Sequence, residues 1–161
     1  MQMKALSRRK SQQVGRRCGQ TAILLFVAGA LFCIGCKKQP VEVLIDLSRI
    51  AGQSRDSIEA VHGKPMVCAE AITGPECKYS DGNLRIIYLG DTAIMIFFRP
   101  QDSIPLDDRA IERIGFQGEP FIRNPGGYEY RALKGKNSVT IIADDDNHVY
   151  RYEVRNYNVE I

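Results

Sequence analysis

The sequence predicts an α+β domain over residues 46–161, with short helices packed on one face of an antiparallel sheet of about six strands. Three observations lead there. Two segments carry helix start and stop signals, six short segments are apolar or alternating, and clusters of Gly, Asn, Asp and Ser punctuate the intervals between them. A single domain of ordinary size suits this length.

The domain begins near Asp46, after a short tether over residues 36–45. Ser54 precedes Arg55-Asp56-Ser57-Ile58-Glu59-Ala60-Val61-His62. Its hydroxyl is placed to cap free N–H groups of a first helical turn, in which Asp56 faces the positive end of the helix dipole. Gly63 stops this helix and Pro65 prevents its resumption. After a loop holding Cys68, three strands are expected at Cys77–Tyr79, Leu84–Leu89 and Thr92–Phe98. Ser80-Asp81-Gly82-Asn83 and Gly90-Asp91 stand at hairpin positions between them. Leu84, Ile86 and Tyr88 share one face by the two-residue period, as do Ile94, Ile96 and Phe98. Ile87, Met95 and Phe97 are apolar as well, which reads as strands covered on both faces.

A second pass opens at Ile104-Pro105-Leu106, where proline suits a first helical turn. Ala110, Ile111 and Ile114 mark a helical stripe closed by Gly115. Strands follow at Tyr128–Leu133, Ser138–Ala143 and His148–Val154, separated by Lys134-Gly135-Lys136-Asn137 and Asp144-Asp145-Asp146-Asn147. Laying Ile58-Glu59-Ala60-Val61 over Ile111-Glu112-Arg113-Ile114 also brings Gly63-Lys64-Pro65 near Gly118-Glu119-Pro120. Residues 46–99 and 104–155 thus read as a tandem repeat of a helix and three strands, with a period of about 50 to 55 residues. The alternative is one α+β sheet whose two helices are unrelated.

Ahead of the domain, Thr21–Gly35 is an apolar run without a charge, and it follows a basic segment holding Lys4, Arg8, Arg9, Lys10, Arg16 and Arg17. That order is the one found in export signals. A spanning helix needs about 20 apolar residues, so the run is short for a permanent anchor, although an uncleaved signal anchor stays a rival reading. Cys33-Ile34-Gly35-Cys36 resembles a bacterial lipobox, departing from it at Cys33, where leucine is usual. The resemblance implies residues 1–35 as a lipoprotein signal peptide and a diacylated Cys36 as the membrane anchor. Two acyl chains hold a protein on a bilayer far longer than one. By the same resemblance, Lys37 in place of aspartate implies transfer to the outer membrane, with the protein facing the periplasm.

Charge agrees with this division. The whole chain is formally +3, but its six basic residues before the apolar run leave 16 basic and 19 acidic side chains, a net of −3. No basic footprint for nucleic acid is left in the domain. Of the five cysteines, Cys68 and Cys77 remain after the signal and Cys36 are set aside, an even pair in an oxidising compartment. A structural disulfide is the expected reading. The rival, a redox or metal dithiol, usually has its cysteines two residues apart or accompanied by histidine.

The run Ile50-Ala51-Gly52-Gln53-Ser54-Arg55-Asp56-Ser57-Ile58-Glu59-Ala60-Val61-His62-Gly63-Lys64-Pro65 is similar to the opening of small bacterial periplasmic domains. These are the small outer-membrane assembly lipoproteins and the β-lactamase-inhibitor-protein-like fold. The resemblance implies a small α+β module that uses one surface to hold a protein partner. It implies no enzyme, and it carries over no functional residue.

The chemistry-bearing residues are sparse. His62 adjoins a helix-ending glycine and His148 follows a hairpin turn, positions more typical of surface residues than of a base or a metal ligand. Neither a His-Glu-x-x-His nor a Gly-x-Ser-x-Gly pattern occurs. Asp144-Asp145-Asp146-Asn147 lacks the alternating ligands of a calcium loop, and Asn124-Pro125-Gly126-Gly127 precedes a strand, so both read as turns. No cofactor or metal is expected. Tyr128, Tyr130, Tyr150 and Tyr152, at alternate strand positions, form a candidate partner-binding surface, with core packing as the alternative. The expected role is a lipid-anchored binding or envelope-assembly module. An envelope hydrolase and a passive structural or stress lipoprotein are its rivals.

Overall fold

Every hydrogen-bonded neighbour in the sheet of this chain is antiparallel, in the order β1-β2-β3-β4-β8-β7-β6-β5. The computed structural model describes residues 40–133 and 137–157. The strands are β1 (Val67–Ala71), β2 (Gly74–Tyr79), β3 (Leu84–Leu89), β4 (Thr92–Phe98), β5 (Ile122–Asn124), β6 (Gly127–Leu133), β7 (Asn137–Ala143) and β8 (Val149–Asn156). They form two four-stranded meanders, β1–β4 and β5–β8, joined through their last strands. Each holds one strand more than the sequence indicates.

The protein is therefore mainly β. The expected α+β class with six strands does not hold, because the described residues contain eight strands and one α-helix, α1 (Arg55–His62). The two added strands are the sheet edges. All five residues of β1 and all three of β5 are exposed, so neither shows the alternation that betrays a half-buried strand. Backbone pairing alone makes them strands, β1 folding back on β2 with Cys68 opposite Cys77.

α1 forms as its signals indicate: the Ser54 hydroxyl accepts from the Ser57 N–H at 3.3 Å, Arg55 pairs with Glu59 at 2.7 Å, and Gly63 ends it. Its entry is fastened to the sheet by the Gly52 N–H donating to the Ala93 carbonyl and the Ala93 N–H to the Gln53 carbonyl, both at 2.9 Å. The second expected helix does not form. Ile104–Gly115 is a chain of turns ending in a 3₁₀ turn at Glu112–Ile114. Three competing bonds explain this. The Asp107 carboxylate accepts from the Arg109 N–H at 2.9 Å, diverting the backbone, while Leu106 N–H and Val149 N–H tie the segment to the β7–β8 hairpin and β8. The apolar spacing reported burial: Ile104, Leu106, Ala110, Ile111, Ile114 and Phe116 all lie in the core.

One sheet face is the floor of that core. Register places Cys77, Ile86, Ile96, Val154, Val139 and Tyr130 in one transverse row on this inner face, and each is buried. Leu47 and Ile50, Ile58 of α1, and the 104–116 segment cover it. Each such aliphatic side chain contributes about 1.5–3 kcal/mol by leaving water. Among the described residues, no such layer of apolar side chains covers the opposite, outer face. Of the three apolar residues there, Ile87 is buried but Met95 and Phe97 are only half-buried, so these strands are not enclosed throughout on both faces.

Candidate functional site

A row of arginines and aromatic rings lies across the outer face. Register aligns Lys78 with Arg85, Arg85 with Phe97, and Phe97 with Glu153, so these side chains of β2, β3, β4 and β8 share that face. The Arg85 guanidinium lies 4.2 Å from the Phe97 ring centre, and Arg151 approaches the same ring at 5.7 Å and Tyr150 at 6.0 Å. Arg99 closes the series 4.6 Å from the Tyr150 ring. The result is an alternating ladder, Arg85–Phe97–Arg151–Tyr150–Arg99. Each cation–ring contact contributes about 0.5–1 kcal/mol at an exposed site and limits the rotation of a long side chain.

Two local irregularities shape the ladder. Ala143 pairs with Val149 and Ile142 with Arg151, leaving Tyr150 as the extra residue of a bulge. A bulge re-aims a side chain, and here it exposes Tyr150 (41 %) while its neighbours Val149 and Tyr152 stay in the core. At the other end, the β2–β3 turn runs through positive φ at Ser80 and Asp81, and its Asn83 carbonyl accepts from the Arg99 N–H at 2.9 Å. Gly82 and Asn83 thereby wall an open pocket of about 290 Å³ together with Lys78 and the ladder.

The pocket is cationic. Glu76 meets Arg85 at 3.5 Å and Glu153 meets Arg151 at 2.5 Å, but among the described residues no acid lies within 4.0 Å of Lys78 or Arg99. The Nε of Arg151 is buried without a hydrogen-bond partner. Four cations against two carboxylates leave an excess of positive charge in a hollow edged by rings. Such a surface binds anionic groups by charge-assisted hydrogen bonds and apolar neighbours by contact.

The four tyrosines singled out in the sequence do not form one surface. Tyr130 and Tyr152 are fully buried, and Tyr128 packs partly against the core. Only Tyr150 belongs to the outer face. The Tyr152 hydroxyl donates to the Ala110 carbonyl at 3.1 Å, and burial pushes its pKa well up from the ordinary tyrosine value. Burial likewise raises Tyr130, to about 12. Tyr79 and Tyr88 share a buried hydroxyl contact of 2.9 Å, and burial raises Tyr88 further still. Tyr88, Tyr130 and Tyr152 are neutral structural groups.

Cys68 and Cys77 form a disulfide, so the dithiol alternative is set aside. It cross-links edge strand β1 to β2, and closing so short a loop stabilises by roughly 2–3 kcal/mol. Cys36 lies outside the described residues, as does Lys134-Gly135-Lys136. The Asp144 carboxylate accepts from the N–H groups of Asp146 (3.1 Å) and His148 (2.8 Å), so it shapes the hairpin. Among the described residues, no helix is long and apolar enough to cross a membrane. Lys78, Arg85, Phe97, Arg99 and Arg151 escaped the sequence reading. Their one signal is alternation: in Leu84-Arg85-Ile86 and Arg151-Tyr152-Glu153, charge falls at the positions opposite the buried ones.

Comparison with protein-family models, with curated proteins and with solved structures finds no match.

Proposed function

We propose that this protein is a lipid-anchored, extracytoplasmic module of the bacterial envelope, attached through diacylated Cys36, that acts by holding a protein partner on its outer sheet face. The observation that carries the binding role is the Arg85–Phe97–Arg151–Tyr150–Arg99 ladder. Arginine and aromatic residues dominate the energetic centres of protein interfaces, because they offer large contact area together with directed donors. The apolar run ending at Gly35-Cys36 supports export and anchoring. The outer membrane, facing the periplasm, is the location that Lys37 favours.

A photo-crosslinking residue in place of Tyr150, in the full chain expressed in bacterial cells, tests this reading. A protein adduct is expected from position 150 and none from the same residue at exposed Asp56 of α1. The adduct should fractionate with membranes and carry incorporated palmitate, which Cys36→Ser should abolish. No adduct from position 150, equal adducts from both positions, or palmitate retained in Cys36→Ser would each overturn it.

A further inference from the structure

We infer that the outer-face pocket takes a carboxylate from an acidic, extended segment of the partner polypeptide. This inference rests on reading the face as protein-binding and adds what the partner must present. Residues 36–161 carry a net charge of −3, yet this hollow gathers Lys78, Arg85, Arg99 and Arg151 around two glutamates. The local sign is opposite to that of the domain. Two of these cations are also uncompensated: Lys78 and Arg99 have no acid within 4.0 Å among the described residues.

The chemistry favours a carboxylate on a peptide. A guanidinium whose face is covered by a ring keeps its N–H edge for an acceptor in its own plane, and the planar carboxylate matches that edge with two parallel bonds. Stacking on Phe97 and Tyr150 holds Arg85, Arg151 and Arg99 before the ligand arrives, which lowers the entropy lost on binding. A volume of about 290 Å³ admits one or two side chains, and the open mouth lets a strand or loop pass across it. The rings supply apolar contact for the residues flanking the acid. A membrane surface is the poorer fit. Polybasic lipid-binding patches draw their strength from several uncompensated cations, whereas Glu76 and Glu153 interrupt this one.

The test uses the full chain in detergent and two fluorescein-labelled octapeptides, one alternating glutamate with leucine and its twin with glutamine. The glutamate peptide is expected to bind at least about tenfold more tightly, and the difference should shrink as salt is raised. Lys78→Gln and Arg99→Gln, both at exposed positions, should each abolish most of that preference while leaving the melting temperature in place. Arg99→Lys should restore part of it. Equal affinity for the two peptides, with no binding of either included, overturns the inference. So does Arg99-dependent binding to phosphatidylglycerol vesicles by a protein indifferent to the peptides, since the ligand would then be a headgroup. In cells, an adduct from position 150 that persists at full yield in the Lys78→Gln/Arg99→Gln variant leaves the partner reading standing and removes only the acidic ligand. Loss of every adduct from the unmodified protein removes the partner reading itself.

Discussion

Tyr152→Ser is expected to destabilise the domain by about 3–5 kcal/mol, the range for truncating a large buried aromatic side chain, whereas Tyr150→Ser costs under about 1 kcal/mol. The two residues are two apart on β8, with opposite fates. Tyr152 is fully buried, stacks near Phe98 with ring centres 6.1 Å apart, and donates its hydroxyl to the Ala110 carbonyl. Serine would empty that volume and leave the carbonyl of the covering segment unsatisfied. Tyr150 makes its contacts with the Arg99 and Arg151 side chains on an exposed surface. Urea denaturation of both variants checks the contrast. Similar midpoints for the two would show that the bulge does not divide their environments, and the outer-face site would lose its aromatic edge.

Tyr152→Phe separates the two contributions. It keeps the ring and removes only the hydrogen bond, so a loss near 1 kcal/mol is expected, far below that of serine.

The helix at Arg55–His62 and the six inner strands were legible in the sequence because local chemistry decides them. A cap, a dipole-favoured acid and a stop glycine coincide at α1, and hairpin residues bracket the strands. Where tertiary bonds compete, local reading failed. The Ile104–Gly115 stripe has helical spacing, but its backbone donors go to the Asp107 side chain and to the β7–β8 hairpin. Edge strands β1 and β5 lack a buried side and so left no pattern. Of the candidate site, Tyr150 alone was found, since an even two-residue period assumes an unbroken register. The bulge at Ile142/Ala143 shifts that period by one, which sends Tyr150 outward and keeps Tyr152 in the core. The arginines are not legible as a site in the sequence because a charge on a strand reads as ordinary solvent exposure until the neighbouring strands show what it faces.

Gly127→Ala is expected to cost about 3 kcal/mol or more, the largest effect of any single added methyl group here. Gly127 opens β6 at φ +141°, a conformation that L side chains rarely adopt, and a Cβ there would meet the Ile141 carbonyl oxygen of β7 at 1.8 Å. That oxygen belongs to the sheet backbone and cannot turn aside without parting β6 from β7. Gly74 stands in the same relation to the other meander: it opens β2 at φ +130°, and its Cβ would meet the Tyr88 carbonyl of β3 at 2.0 Å. Both glycines precede the carbonyl they face by the same interval along the chain, so each meander needs close backbone approach at its second strand. Gly90→Ala is the matched control, because Gly90 also has positive φ but nothing lies within 4 Å of its added Cβ. It should lose only the backbone term, about 1–2 kcal/mol. Thermal unfolding of the three variants should rank Gly127→Ala and Gly74→Ala well below Gly90→Ala. Equal melting temperatures across the set would mean that the β2–β3 and β6–β7 backbones are not packed as closely as this register requires.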